Sequence, residues 1–311
     1  MIGSRRPRIF PRDILGGAPL NCTFEQLPVL LSLAAALLFA AGIQFAKLGL
    51  NHTDSQTAAL TQIGAATMIY WVSAPFFVKA EYWLSPAIFL LAAIGLFRPF
   101  LSANLSLAGT RLLGPTISST LSSTAPLFGV SLGYLVLGEE LTLPIVLGAG
   151  AVVAGVACLS WKGDVQRTWP VWALALPVGA ALLRTLAQMF AKIGMEDIPS
   201  PFFVGLIGYS VSFAIAVTST WGRTRRTPIP LWTPGSKWLV GTGLCYGLAI
   251  LSLNTALLCG DLVVVSPIVA CAPLFSLLLG WLVFRERTIN RRVVIAVALV
   301  VPGVVLIAAN A

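Results

Sequence analysis

The chain has 311 residues, 57% of them hydrophobic and 10% charged, with a mean hydropathy of +0.90. Soluble domains carry about a quarter of their residues as charged groups, so this composition excludes an ordinary globular protein and indicates an all-α polytopic membrane protein. The net charge of +9 does not point to nucleic acid, because the basic residues lie mostly in loops and tails beside apolar spans, where anionic lipid headgroups are the simpler partner.

Residues 1–27 form a tail with Arg5, Arg6, Arg8 and Arg12 ahead of the first apolar run. A secretory signal begins in the same way, but this run is too long for one and is read as the first membrane helix. Crossing about 30 Å of hydrocarbon takes about 20 apolar residues. Ten stretches reach that length, near 28–50, 57–79, 85–107, 115–137, 143–161, 170–192, 201–221, 237–258, 262–284 and 290–309. Their connections are short and leave no room for a soluble domain. The five cysteines (Cys22, Cys158, Cys245, Cys259 and Cys271) show no metal-ligand spacing and are read as buried thiols. No metal or cofactor is expected.

The fourth and ninth spans are copies of each other. Ala125-Pro126-Leu127-Phe128, Gly133 and Glu139 recur as Ala272-Pro273-Leu274-Phe275, Gly280 and Glu286, at an offset of 147. Phe45-Ala46-Lys47 and Gly49 recur as Phe190-Ala191-Lys192 and Gly194, at an offset of 145. The polar stretch 162–169 divides the chain into halves, 28–161 and 170–311, with five spans in each. Because five is odd, the second half enters the membrane facing the opposite way. An inverted repeat of this kind is the plan of secondary transporters, with the substrate site near the midplane and alternating access by rocking of the halves. Pro126 and Pro273, each followed seven residues later by Gly133 and Gly280, are candidate hinges. Their other reading is helix packing.

Gly114-Pro115, Ala125-Pro126-Leu127-Phe128, Gly133, Leu137-Gly138-Glu139-Glu140-Leu141-Thr142 and Gly155-Val156 together resemble the EamA domain of the drug/metabolite transporter superfamily. Ser266-Pro267, Ala272-Pro273-Leu274-Phe275, Gly280, Glu286 and Pro302-Gly303-Val304 repeat the pattern. The resemblance implies a ten-helix carrier of two inverted five-helix units, typically an exporter of amino acids or related metabolites in the bacterial inner membrane, with both termini cytoplasmic. Glu139 and Glu286 match the family's loop glutamate. Each is read as structural, supporting a cap by Thr142 or Thr288 on the following helix.

Charged groups inside membrane spans are costly and mark function by default. Arg184, Gln188 and Lys192 lie at i, i+4 and i+8 and therefore share one helix face; Gln44 and Lys47 share another. The two lysines are read either as snorkelling to headgroups or as gate and substrate contacts. Arg184 and Arg98, deeper in their spans, are candidates for a bidentate clamp on a carboxylate or phosphate. Asn104, Asn254, Tyr246, Ser122, Tyr70 and Trp71 complete the candidate substrate set, with helix packing or the lipid face as the rival reading for Ser122, Tyr70 and Trp71. Asp261 is the acidic candidate for proton coupling, or else a helix N-cap.

Loop charge disagrees with the orientation that the family implies. If the termini are cytoplasmic, the outward loops hold Arg111, Lys162, Arg167, Arg223, Arg225, Arg226, Lys237, Arg285, Arg287, Arg291 and Arg292. The inward side then has the tail arginines and little beyond Lys79 and Lys192, against the positive-inside rule.

The leading expectation is a monomeric secondary carrier that exports amino acids, including aromatic and other neutral ones. The alternative is an importer or exchanger of anionic metabolites such as sugar phosphates, which requires two or more of the buried cations in one cavity. A phosphate-binding GxxxxGK[ST] loop is absent, and so is HExxH, which argues against an ATP-driven pump or a zinc-dependent hydrolase.

Overall fold

The computed structural model describes residues 26–160, 170–224, 234–282 and 291–310. The basic tail, the linker 162–169, Glu286 and Thr288 lie outside the described residues. Among the described residues the protein is helical, without strands. The first half comprises α1 (Leu27–Leu50), α2 (Ser55–Phe77), α3 (Ala87–Gly95), α4 (Ser102–Leu113), α5 (Pro115–Ser122), α6 (Ala125–Leu135) and α7 (Leu143–Ser160). The second comprises α8 (Ala175–Asp197), α9 (Pro201–Thr224), α10 (Ser236–Cys259), α11 (Leu262–Val269), α12 (Ala272–Leu282) and α13 (Arg291–Ala308). Six stretches are long and apolar enough to cross a membrane: Leu27–Leu50, Ala87–Leu113, Val171–Asp197, Pro201–Ser219, Ser236–Cys259 and Leu262–Leu282. Leu143–Leu159 and Val293–Ala308 are apolar but shorter. Helix is the form these segments take because backbone groups in hydrocarbon must be satisfied within their own segment.

Three spans that the hydropathy pattern draws as continuous are interrupted. The third, expected over 85–107, breaks between α3 and α4, where Arg98 is extended (φ −141°, ψ 129°). Pro99 follows it, and the residue before a proline is pushed out of the helical region. The fourth and ninth spans break at Ser123-Thr124 and at Ala270-Cys271. In each case the proline two residues on cannot donate to the carbonyl four residues back. Pro126 and Pro273 therefore stand in the first turn of α6 and α12 rather than inside a helix. Tightened turns close the gaps, with Thr124 N–H donating to Leu121 O at 3.2 Å and Cys271 N–H to Ile268 O at 3.1 Å.

The contacts between halves come in equivalent sets. Helix α1 packs on α10 as α8 packs on α3 and α4, and α1 meets α11 and α12 as α8 meets α5 and α6. Helices α2 and α9, and α7 and α13, face their own counterparts, and α6 meets α11, the first segment of the span equivalent to its own. In the last pair the backbones nearly touch: a Cβ on Gly148 would lie 2.6 Å from Gly303 O, and one on Gly303 would lie 2.8 Å from Gly148 O. The main core, around Tyr70, Leu91, Met195, Phe203 and Leu257, joins α2, α3, α8, α9 and α10 across the two halves. The outer surface is apolar, with Phe76, Leu84, Phe89 and Leu135 exposed by 84, 87, 81 and 73%. A protein in water rarely presents side chains of this kind together, whereas lipid accepts them.

Candidate functional site: a cavity between the halves

A cavity of about 580 Å³ lies where α1 to α4 meet α8 to α10. Its polar lining is concentrated in Arg98, Arg184, Gln188, Tyr246 and Asn254, and Phe39 forms an aromatic wall. Small residues, among them Ala187, Ala191, Gly205 and Gly208, leave the space open.

Arg98 reaches this space because the third span is broken there. The break frees carbonyls that a continuous helix would use, and Ser212 on α9 supplies a substitute donor. Its hydroxyl donates to Gly95 O and lies 3.2 Å from Arg98 O. The Arg98 guanidinium stands over the Phe39 ring, 5.4 Å from its centroid, close enough for a cation–π contact. Arg184 enters from α8, and Gln188 follows one turn later on the same face. Both arginines are half-buried. Among the described residues neither has a carboxylate within ion-pair distance, and no carboxylate lines the cavity. Gln188 Oε1 is buried with no hydrogen-bond partner. The site thus offers two forked cations, which fit a carboxylate or phosphate, and an unsatisfied amide acceptor, which fits a donor elsewhere on the ligand.

The remaining cavity groups are held in place. Tyr246 packs its ring against Phe39 at 5.8 Å, and Asn254 Nδ2 donates to Pro201 O at 3.2 Å. Ser102, Ser106 and Thr110 form a stripe at spacing four along α4, which the reading of the sequence missed, as it missed Phe39, Gln62 and Tyr209. The stripe was detectable, since it continues the Arg98 face in steps of four. Tyr209 carried no such signal: its ring stacks on buried Tyr70 at 5.6 Å, a contact between helices from different halves.

Other candidates lie elsewhere. Gln44 is buried, and its Nε2 donates to Ser276 O and Oγ on α12, so it ties helices together outside the cavity lining. Lys47 is exposed in the last turn of α1. Tyr70 is neither a cavity wall nor a lipid-facing residue; it is 3% exposed behind Tyr209 and donates to Gly247 O at 2.9 Å. Trp71 is exposed, stacks on Trp83 and donates to Ser210 Oγ at 2.9 Å. Asn104 is exposed on α4. The Ser122 hydroxyl is buried without a partner, outside the cavity lining. Cys259, read as a thiol, is in a disulfide; Cys158, Cys245 and Cys271 are free. Among the described residues no cluster could hold a metal ion.

Lys192 continues the Arg184–Gln188 face but joins an ionic cluster beyond the cavity. It pairs with Glu139 and, at 3.2 Å, with Asp261. Glu139 does not support the helix that follows it, because Thr142 Oγ1 is buried without a partner. Its carboxylate instead accepts the N–H groups of Leu262 and Val263, at 2.8 and 2.9 Å, which open α11 in the other half. Asp261 occupies the N-cap position of α11, yet its side chain makes no capping bond.

The sequence matches the model of the EamA-like transporter family over residues 26–161 and again over 171–309. The chain belongs to the EamA-like transporter family. The two matches coincide with the two halves seen in the contacts. No curated protein matches the sequence. A solved crystal structure resembles the protein with a TM-score of 0.73 at 18% identity, over 91% of this chain and 99% of the other, a likeness that shows the fold alone. Membership of this family makes the protein a multi-pass membrane protein of a family of small-molecule transporters.

Proposed function

We propose that the protein is a secondary carrier for small organic anions, built as ten spans in two inverted halves and working by alternating access through the cavity between them. The observation that carries this reading is the pair Arg98 and Arg184 lining one cavity that has no carboxylate in its wall among the described residues. Cations in a membrane span are tolerated where they face a cavity, and a bidentate carboxylate or phosphate uses the guanidinium fork fully. The mainly apolar wall with Phe39 and Tyr246 suits a substrate with an apolar body. Export of neutral or aromatic amino acids is the second reading. It is favoured by Gln188 Oε1, a buried acceptor without a partner that could take an ammonium group.

Counterflow in proteoliposomes tests both readings. Vesicles loaded with an unlabelled sugar phosphate or dicarboxylate should accumulate the labelled compound without an ion gradient. Accumulation of phenylalanine, threonine or methionine, with silence for the anions, would install the amino-acid reading in its place.

We place the protein in the bacterial inner membrane with its termini outside the cytoplasm, opposite to the orientation that the resemblance implies. By the order of the ten proposed spans, eleven Lys and Arg residues fall in the loops and helix ends on the side away from the termini, and basic connections stay cytoplasmic. Cys259, at the end of α10, is in a disulfide; Gly260 beside it packs on Pro28 at the start of α1. That places the disulfide on the terminal face, and disulfides persist in oxidising compartments. Alkaline phosphatase fused after Ala311 should be active, and a fluorescent protein fused there should be dark. The reverse pair of results would restore cytoplasmic termini.

A further inference from the structure

The cluster of Glu139, Lys192 and Asp261 connects the two halves at one end of the cavity. Glu139 comes from the loop after α6 in the first half, Lys192 from the last turns of α8, and Asp261 from the two-residue connection between α10 and α11 in the second. All three stand on the face that carries the termini, since Gln26 Nε2 lies 3.4 Å from Ala308 O and Gly260 packs on Pro28.

The Lys192 ammonium is fully engaged. Lys192 Nζ donates to Glu139 Oε1, to Gly260 O at 2.8 Å and to Asp261 Oδ1 at 3.2 Å, which uses all three ammonium hydrogens. The Glu139 side chain is 5% exposed and accepts Lys192 and two backbone N–H groups. A carboxylate buried this deeply is tolerable only while its partners are present. Gly133 makes the approach possible, because a Cβ there would overlap the Glu139 carboxylate and Val263. With the ammonium fully engaged, the cluster offers no free cation to an anionic substrate.

Lys192 sits one turn beyond Gln188 on the face that bears Arg184, so the cluster closes the terminal end of the helix face that lines the cavity. Through Glu139 the α6–α7 loop is tied both to α8 and to the start of α11, so a movement of that loop away from them separates every one of these donors from Glu139. We propose that Glu139, Lys192 and Asp261 form the latch of the terminal-side gate, made when the cavity is closed to that face and broken when it opens. The latch rests on the carrier reading, but its test needs no substrate, so the two can fail separately.

The experiment uses the full chain with Cys158, Cys245 and Cys271 replaced by Ala and Val204→Cys as reporter, since Val204 lines the cavity three residues into α9. A membrane-impermeant thiol reagent is applied to each face of sealed vesicles. Lys79→Cys, on an exposed connection between α2 and α3, identifies the terminal face. In Glu139→Gln and Lys192→Gln the reporter should react from the terminal face about tenfold faster, which corresponds to about 1.4 kcal/mol removed from the closed state. Combining the two should add little, because one latch is lost only once. Lys192→Arg should stay near the parent rate. Asp261→Asn, which removes the half-exposed outer partner, should give a smaller rise and retains a folded protein even if the Glu139 variant does not fold. Unchanged reporter rates in folded Lys192→Gln and Asp261→Asn, or equal rises from both faces, would overturn the latch and leave the cluster a staple of the fold.

Discussion

The third spans of the two halves occupy equivalent places and have diverged in form. In the first half the span breaks at Arg98, which turns its guanidinium over Phe39 and into the cavity. In the second, α10 runs unbroken from Ser236 to Cys259 and offers Tyr246 and Asn254. A proline accounts for the difference: Pro99 interrupts one copy, while α10 contains none. A duplicated unit keeps the surfaces by which its copies pack, because a change there must be matched by the partner. The wall of the cavity is under no such constraint, so an irregular backbone survives where it lines that space.

The sharpest way to break this comparison is to remove the cations. Arg98→Ala and Arg184→Ala should each abolish counterflow while leaving folded protein, and Lys at either position should restore only part of the rate, because an ammonium lacks the fork. Wild-type rates in both Ala variants would detach the broken span from the substrate. Pro99→Ala should come next: it lets residue 98 return to helix, makes the third span resemble α10, and should cut transport severalfold while folding is preserved. A smaller loss is expected from Pro126→Ala and Pro273→Ala, which should slow transport more than they lower folded yield, and normal transport in both would end their role as hinges. Gly133→Ala should lower the thermal stability of detergent-solubilised protein by about 1–3 kcal/mol, the usual cost of overpacking. Tyr246→Phe should matter least, changing transport by less than about twofold, since no hydrogen bond holds its hydroxyl among the described residues and its ring contact with Phe39 remains.

Much of the fold was legible. Apolar runs indicated a helical membrane protein, and the repeat at an offset of 147 indicated a duplicated unit, as the two successive family matches also do. What hydropathy could not see was the interruption of the third span, because an apolar average passes over one extended residue. Pro99 was present in the sequence and would have indicated it through its effect on Arg98. Of the polar candidates, Arg98, Arg184, Gln188, Tyr246 and Asn254 line the cavity. Lys192 was placed on the correct face of α8, yet its ammonium is taken up by Glu139, a residue of the other half.

By itself the sequence determined that the chain lives in a membrane, that it is a duplicated helical unit, and which side chains share a helix face. Each of these is written in short-range order: composition, a repeat offset, or a period of 3.6 residues. Only the tertiary structure decided what stands opposite each face. It put Phe39 beneath Arg98, left Arg184 without a carboxylate, and led Glu139 past its own helix to the first N–H groups of α11. The Arg98–Phe39 contact joins separate helices of one half and the Glu139 contacts join opposite halves; no local pattern encodes either, because each is fixed by how surfaces distant in sequence meet.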